Sequence, residues 1–175
     1  MKPVLLVTCL LFSAFVVRAD DLQLSAERKR TSLGGTQSTG KATKKTEENW
    51  QYVVKVSNNS FNAKPALKAY YMIFVQRQEL ATKMGEGSIE SVKGTTTLQA
   101  LNSHGKGEFS TSEVTLREQS LAAGFGFTNG ANFVPGQTKA KDIILGIWVK
   151  LFDGTNEVAQ YVNPPTLPTK HNWEQ

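Results

Sequence analysis

The stretch YVVKVSNNSFNAKPALKAYYMIFV occupies residues 52–75. Tyr52, Val54 and Val56 fall on one side, and Gln51, Val53, Lys55 and Ser57 on the other. That period of two marks a strand with one buried face. Asn58, Asn59 and Ser60 stop the alternation, because Asn and Ser side chains bond nearby backbone and favour turns. Pro65 shapes the entry to the next strand. Leu67, Ala69, Tyr71, Ile73 and Val75 then alternate with Lys68, Tyr70, Met72, Phe74 and Gln76. The second set is itself apolar at Tyr70, Met72 and Phe74, which predicts a central strand covered on both faces.

The pattern continues outward from this pair. Residues 88–92 and 95–101 read as short strands on either side of Gly94, and residues 108–116, rich in β-branched side chains, as another. The strongest strand falls at 142–152, with Trp148 expected as a core anchor. Asp153-Gly154 is a type I′ hairpin signal, both central residues favouring positive φ, and residues 157–162 return as the partner strand. No segment carries a convincing helical period. Short strands at this spacing predict an all-β chain: a two-sheet, immunoglobulin-like sandwich of about seven strands, with a barrel as the alternative.

Residues 1–19 have the layout of a secretory signal peptide. Lys2 gives a basic start, 4–17 is apolar except for Thr8 and Ser13, and 17–19 offers a cleavage site before Asp20. The apolar run of 14 residues is short of the ~20 that span a bilayer. A lipobox reading at Cys9 fits less well, because Thr8 stands where such motifs take a smaller residue. The leader holds the only cysteine, so the exported chain would rely on its core without disulfides. It would carry a net charge of +3, against +5 for the whole sequence, too mild to imply a nucleic-acid binder. Residues 20–48 lack an apolar period and are rich in Ser, Thr, Gly and Lys, so a disordered tail or linker is expected. The folded domain is then expected over 49–165, with a C-terminal extension at 166–175.

The first strand pair, with Val54, Val56, Asn58, Ser60, Leu67, Tyr71 and Ile73 in its key positions, resembles the first hairpin of bacterial extracytoplasmic immunoglobulin-like or fibronectin-III-like modules. GIWVKLFDGTNEVAQY, residues 146–161, is similar to the closing hairpin of such modules. The resemblance covers residues 50–163. It implies a sandwich fold and a binding or scaffolding habit, and it carries no catalytic residues.

Little in the sequence points to chemistry. His104 and His171 have no acidic or histidine neighbour at metal-ligand spacing and read as surface residues. The carboxylates are scattered, whereas glycoside hydrolysis needs two held across one cleft. No catalytic residue, metal site or cofactor is therefore expected. Asn58-Asn59-Ser60 is a formal glycosylation sequon, read in a bacterial envelope as turn chemistry. GFGFTNGANF, residues 124–133, lacks the following helix that a phosphate-binding glycine loop needs. Its candidate ligand- or partner-facing residues are Phe125, Phe127, Asn129, Asn132 and Phe133, with phenylalanines for stacking and asparagines for hydrogen bonds. The opposing interpretation has these phenylalanines capping the core.

The expectation is thus a non-catalytic, exported module, periplasmic or extracellular, without a transmembrane anchor once the leader is removed. An envelope protein is the first expected partner, recruited at an edge strand or at the Gly/Phe loop. The alternative is a carbohydrate-binding module for cell-wall or extracellular polysaccharide, using Phe125, Phe127, Phe133 or Tyr161 as stacking platforms.

Overall fold

The computed structural model describes residues 21–34, 37–39, 43–80, 87–122, 127–129, 132–134 and 138–173. Its strands in chain order are β1 (Leu22–Leu33), β2 (Gln37–Thr39), β3 (Thr43–Asn58), β4 (Leu67–Arg77), β5 (Ser88–Leu98) and β6 (Lys106–Ser110). They continue with β7 (Val114–Leu121), β8 (Phe127–Asn129), β9 (Asn132–Val134), β10 (Lys139–Lys141), β11 (Ile143–Asp153) and β12 (Asn156–Asn163). One turn of helix, α1 (Leu167–Lys170), follows.

Two antiparallel sheets form a sandwich. The first is ordered β1-β3-β7-β10, with β2 and β6 also paired to the long β3. The second is ordered β12-β11-β4-β5. The alternation of β3 sends Tyr52, Val54 and Val56 inward against Leu67, Ala69, Tyr71, Ile73 and Val75 of β4 and Ile147, Val149 and Leu151 of β11. Burying each such aliphatic side chain contributes about 1.5–3 kcal/mol. The barrel alternative is not what forms.

Several boundaries differ from the sequence expectation. The tail expected over 20–48 is strand at 22–33, 37–39 and 43–48. β1 pairs with β3 from Leu22↔Asn58 to Leu33↔Glu48, so the sandwich begins in β1 rather than near Trp50. Leu22, Leu24 and Ala26 supply its inward face. Beyond Arg28 the facing residues are mostly polar, with Trp50 of β3 still packed against the core and Arg28 lying over its ring at 5.0 Å.

Gly94 does not divide two strands. It lies inside a single β5 and pairs directly with Tyr71. Conversely, the strand expected at 108–116 splits into β6 and β7. At the break Thr111 N–H donates to the Tyr52 carbonyl, and Thr111 Oγ1 accepts from Tyr52 N–H, both at 2.9 Å. A side chain thereby stands in for one rung of the ladder. The β11–β12 turn is centred on Gly154-Thr155, with Asp153↔Asn156 as the closing pair. Within the turn Gly154 alone has a positive φ, 59°, as the first central position of a type II′ hairpin requires.

The prediction that β4 is covered on both faces holds. Met72 and Phe74 are buried on its outer side, together with Trp148 and Leu167. Trp148 is therefore an anchor of this outer layer and not of the inter-sheet core. The C-terminal extension is the cover.

Candidate functional site

Sequence reasoning pointed first to the Gly/Phe loop. Phe125 lies outside the described residues. Phe127 and Asn129 are the ends of β8, and Asn132 and Phe133 belong to β9. The register pairs Asn129 with Asn132, while Phe127 faces Val134 and Phe133 faces Thr128. The two strands thus form a small separate two-stranded sheet within the connection from β7 to β10. Tyr161, the other expected platform, packs against the inter-sheet core.

An aromatic grouping that the sequence did not single out lies on the outer face of the second sheet. Tyr70 meets Phe152 edge-on, with ring centres 5.4 Å apart. Trp148 meets Trp173 at 5.2 Å, and Phe74 stacks on His171 at 4.6 Å. The register explains the first pair, since Lys150 stands opposite Tyr70 and Phe152 is two residues along the same face. The C-terminal segment explains the other two, because Leu167 anchors it over Met72 and Phe74 with only 3 % of its surface exposed. His171 accordingly packs on Phe74 and is only partly exposed. Trp148 Nε1 is buried without a hydrogen-bond partner among the described residues.

Beside this layer Tyr70, Phe152, Gly154, Thr155 and Trp173 line an open cleft of about 370 Å³. Two ammonium groups reach the ring faces. Lys68 Nζ lies 4.9 Å from the Tyr70 ring centre, and Lys150 Nζ lies 5.2 Å from that of Trp173. Lys150 also donates to Glu157 at 2.8 Å.

The second feature is the edge of β5, which among the described residues pairs only with β4. This strand ends its sheet and runs for 11 residues with no register shift against β4. The other long edges carry the devices that discourage strand addition. Arg28, Lys29 and Arg30 charge β1, which also has a register shift between Arg30 and Ser32. A register shift interrupts β11–β12, and two prolines follow β12. β10 has only three residues. β5 contains no proline, and its Glu90 is held by Arg77 of its own sheet at 2.7 Å. Ile89 is half exposed on β5, and Ile143 of β11 flanks the same Gln76 from the other side.

The most buried charge is committed to structure. Asp142, fully buried between β10 and β11, accepts from Arg77 at 2.8 Å and Arg117 at 3.2 Å. It also accepts from the backbone N–H groups of Gln78 and Arg117. Burial alone would raise its pKa, but the hydrogen bonds from Gln78, Arg77 and Arg117 outweigh burial and hold it below the usual carboxylate value. Asn58 is likewise consumed. Its amide donates to the Asn62 and Asn102 carbonyls, and its oxygen accepts from Ser60 N–H and Oγ. The sequon is therefore turn chemistry in the folded chain. His104 is exposed, in a turn with φ 52°, edge-on to Phe61. Among the described residues no three His, Cys, Asp or Glu side chains group as metal ligands, and no helix is long and apolar enough to cross a membrane.

No family model and no curated protein matches the chain. Two solved structures are similar over most of its length. One is the X-ray structure of a structural-genomics target, SoR45, at 9 % identity and a TM-score of 0.36, covering 89 % of this chain and 96 % of the other. The second is a crystal structure from Akkermansia muciniphila, at 12 % identity and a TM-score of 0.26, covering 85 % and 74 %. Neither likeness carries an argument about fold or function.

Proposed function

We propose that this protein is a non-catalytic module of the cell envelope that recruits a partner protein by adding an extended segment of that partner to β5. The observation that carries the proposal is the edge of β5, among the described residues the one long edge left without charge clusters, register shifts or flanking prolines. An added strand gains main-chain hydrogen bonds along its length and contacts alternate side chains for specificity. Ile89 and Thr95 would meet it on the outer face, with Lys93 between them. Export, and residence in the periplasm or outside the cell, belong to the same proposal and rest on the leader pattern of residues 1–19. So does kinship with extracytoplasmic immunoglobulin-like modules, which rests on the resemblance of the two hairpins.

The test places a photoreactive amino acid at Thr95 in the source cell, with Gln160 on the β12 edge as control. A discrete protein adduct from position 95 and none from 160 is the expected result. No adduct at 95, or the same adducts from both positions, counts against strand addition at β5. The N-terminal sequence of the purified protein, expected to start at Asp20, tests export.

A further inference from the structure

We infer that the cleft beside the C-terminal segment is a saccharide subsite, separate from the β5 edge, that takes a pyranose ring bearing a carboxylate. Three elements distant in sequence converge to build it: Tyr70 from β4, Phe152 from β11 and Trp173 from the C-terminal segment. The floor is the hairpin turn at Gly154 and Thr155. Gly154, with no side chain, leaves the turn open to an incoming ring. The volume of about 370 Å³ lies at the lower end of the range for small-ligand sites, which suits one or two sugar rings.

The ring geometry favours a flat, partly apolar ligand. Tyr70 and Phe152 are nearly perpendicular, at 86°, so they offer a face and an edge rather than one closed stack. The C–H face of a pyranose packs on an aromatic face, while its hydroxyls need donors and acceptors at the margin. Tyr70 and Thr155 bring hydroxyl groups to that margin.

Charge selects the acidic ring. Among the described residues no carboxylate lines the cleft, while Lys68 and Lys150 both lie against aromatic rings that do. Lys150 is matched by Glu157, and Asp153 sits in the adjoining turn without lining the cleft. Lys68 is exposed and has no carboxylate partner among the described residues. It is therefore the cation free to meet a ligand carboxylate, a charge-assisted hydrogen bond stronger than a neutral one. Trp173 is fixed by Trp148 behind it, so this wall is formed before a ligand arrives.

The experiment titrates the purified full chain with trimers of galacturonic acid and of glucuronic acid, each beside its neutral counterpart. The Trp173 indole N–H signal in NMR is the readout. At least one acidic trimer is expected to shift that signal and to bind about tenfold more tightly than its neutral counterpart. Lys68→Gln should remove that preference, and Phe152→Ala should weaken both sugars. Thermal melts establish that the variants are folded, and Lys68 is exposed enough for its change to leave the melt unmoved. Equal binding of acidic and neutral trimers, binding that leaves Trp173 unshifted, or no binding of any trimer at millimolar concentration would overturn the inference.

Discussion

Tyr71 and Gly94 face each other across the β4–β5 ladder, and the phenol ring of Tyr71 occupies the space where a side chain at Gly94 would stand. The ring then reaches the opposite sheet, where its hydroxyl sits 2.6 Å from Ser112 Oγ and accepts from Ser112 N–H at 2.8 Å. One glycine thus lets one tyrosine tie the two sheets together. Gly94→Ala should destabilise the protein by about 1–3 kcal/mol, the usual cost of overpacking. Tyr71→Phe should cost about 0.5–1.5 kcal/mol, the net worth of a hydrogen bond, since Ser112 is exposed and water can replace the phenol. Urea titrations of both variants check this. A Gly94→Ala variant as stable as the parent would mean the ring is free to move aside.

Asp142 joins Arg77 of one sheet to Arg117 of the other. Asp142→Ala leaves two guanidinium groups without their shared partner, but Arg77 keeps Glu90 and Arg117 is 38 % exposed, so the cost should be about 1–3 kcal/mol, below that of an unpaired buried charge. The pH dependence has a definite sign. A folded pKa held below the unfolded value of ~3.9 gives stability that is present above that value. It is lost as pH falls through the lower, folded value. Acid titrations of stability should therefore show a steep limb below about pH 4 that flattens in Asp142→Asn. Identical acid limbs in the two proteins would remove Asp142 as its source.

Leu167 holds the C-terminal segment over Met72 and Phe74. Leu167→Ala should cost about 2–3 kcal/mol if the segment unfolds with the domain, as for other buried leucines. It should also raise the exposure of Trp148 and Trp173, read as a red shift of tryptophan fluorescence. A full loss of stability without a fluorescence change would place the role of Leu167 elsewhere.

The legible part of the fold was the part that buries one face and solvates the other. Residues 52–58 and 67–75 alternate because both belong to the inter-sheet core, and the apolar outer side of β4 announced a second covering layer. β1 was hidden for the opposite reason. Only Leu22, Leu24 and Ala26 face the core, and from Arg28 onward the ladder with β3 has no apolar period to display. Gly94 misled because a glycine in a strand reads as a break, whereas here it accommodates a ring from the neighbouring strand. The candidate sites were less legible still. Tyr70, Phe152 and Trp173 lie far apart in the chain and meet only through the β4–β11 register and the returning C-terminus. The openness of β5 is a property of sheet order, which no local pattern in residues 88–98 expresses.

Proline substitution tests the proposed docking edge most directly. Adjacent residues of an edge strand alternate between an N–H bonded to the neighbouring strand and one directed outward. Thr95→Pro and Thr96→Pro therefore remove one of each, and proline is tolerated on an edge where the lost N–H faces outward. Stability and photo-crosslinking from position 91 should be measured for both. The account predicts that one variant keeps its melting temperature and loses the adduct. A variant that keeps both its stability and its adduct, beside a partner that merely unfolds, would contradict recruitment through the β5 edge.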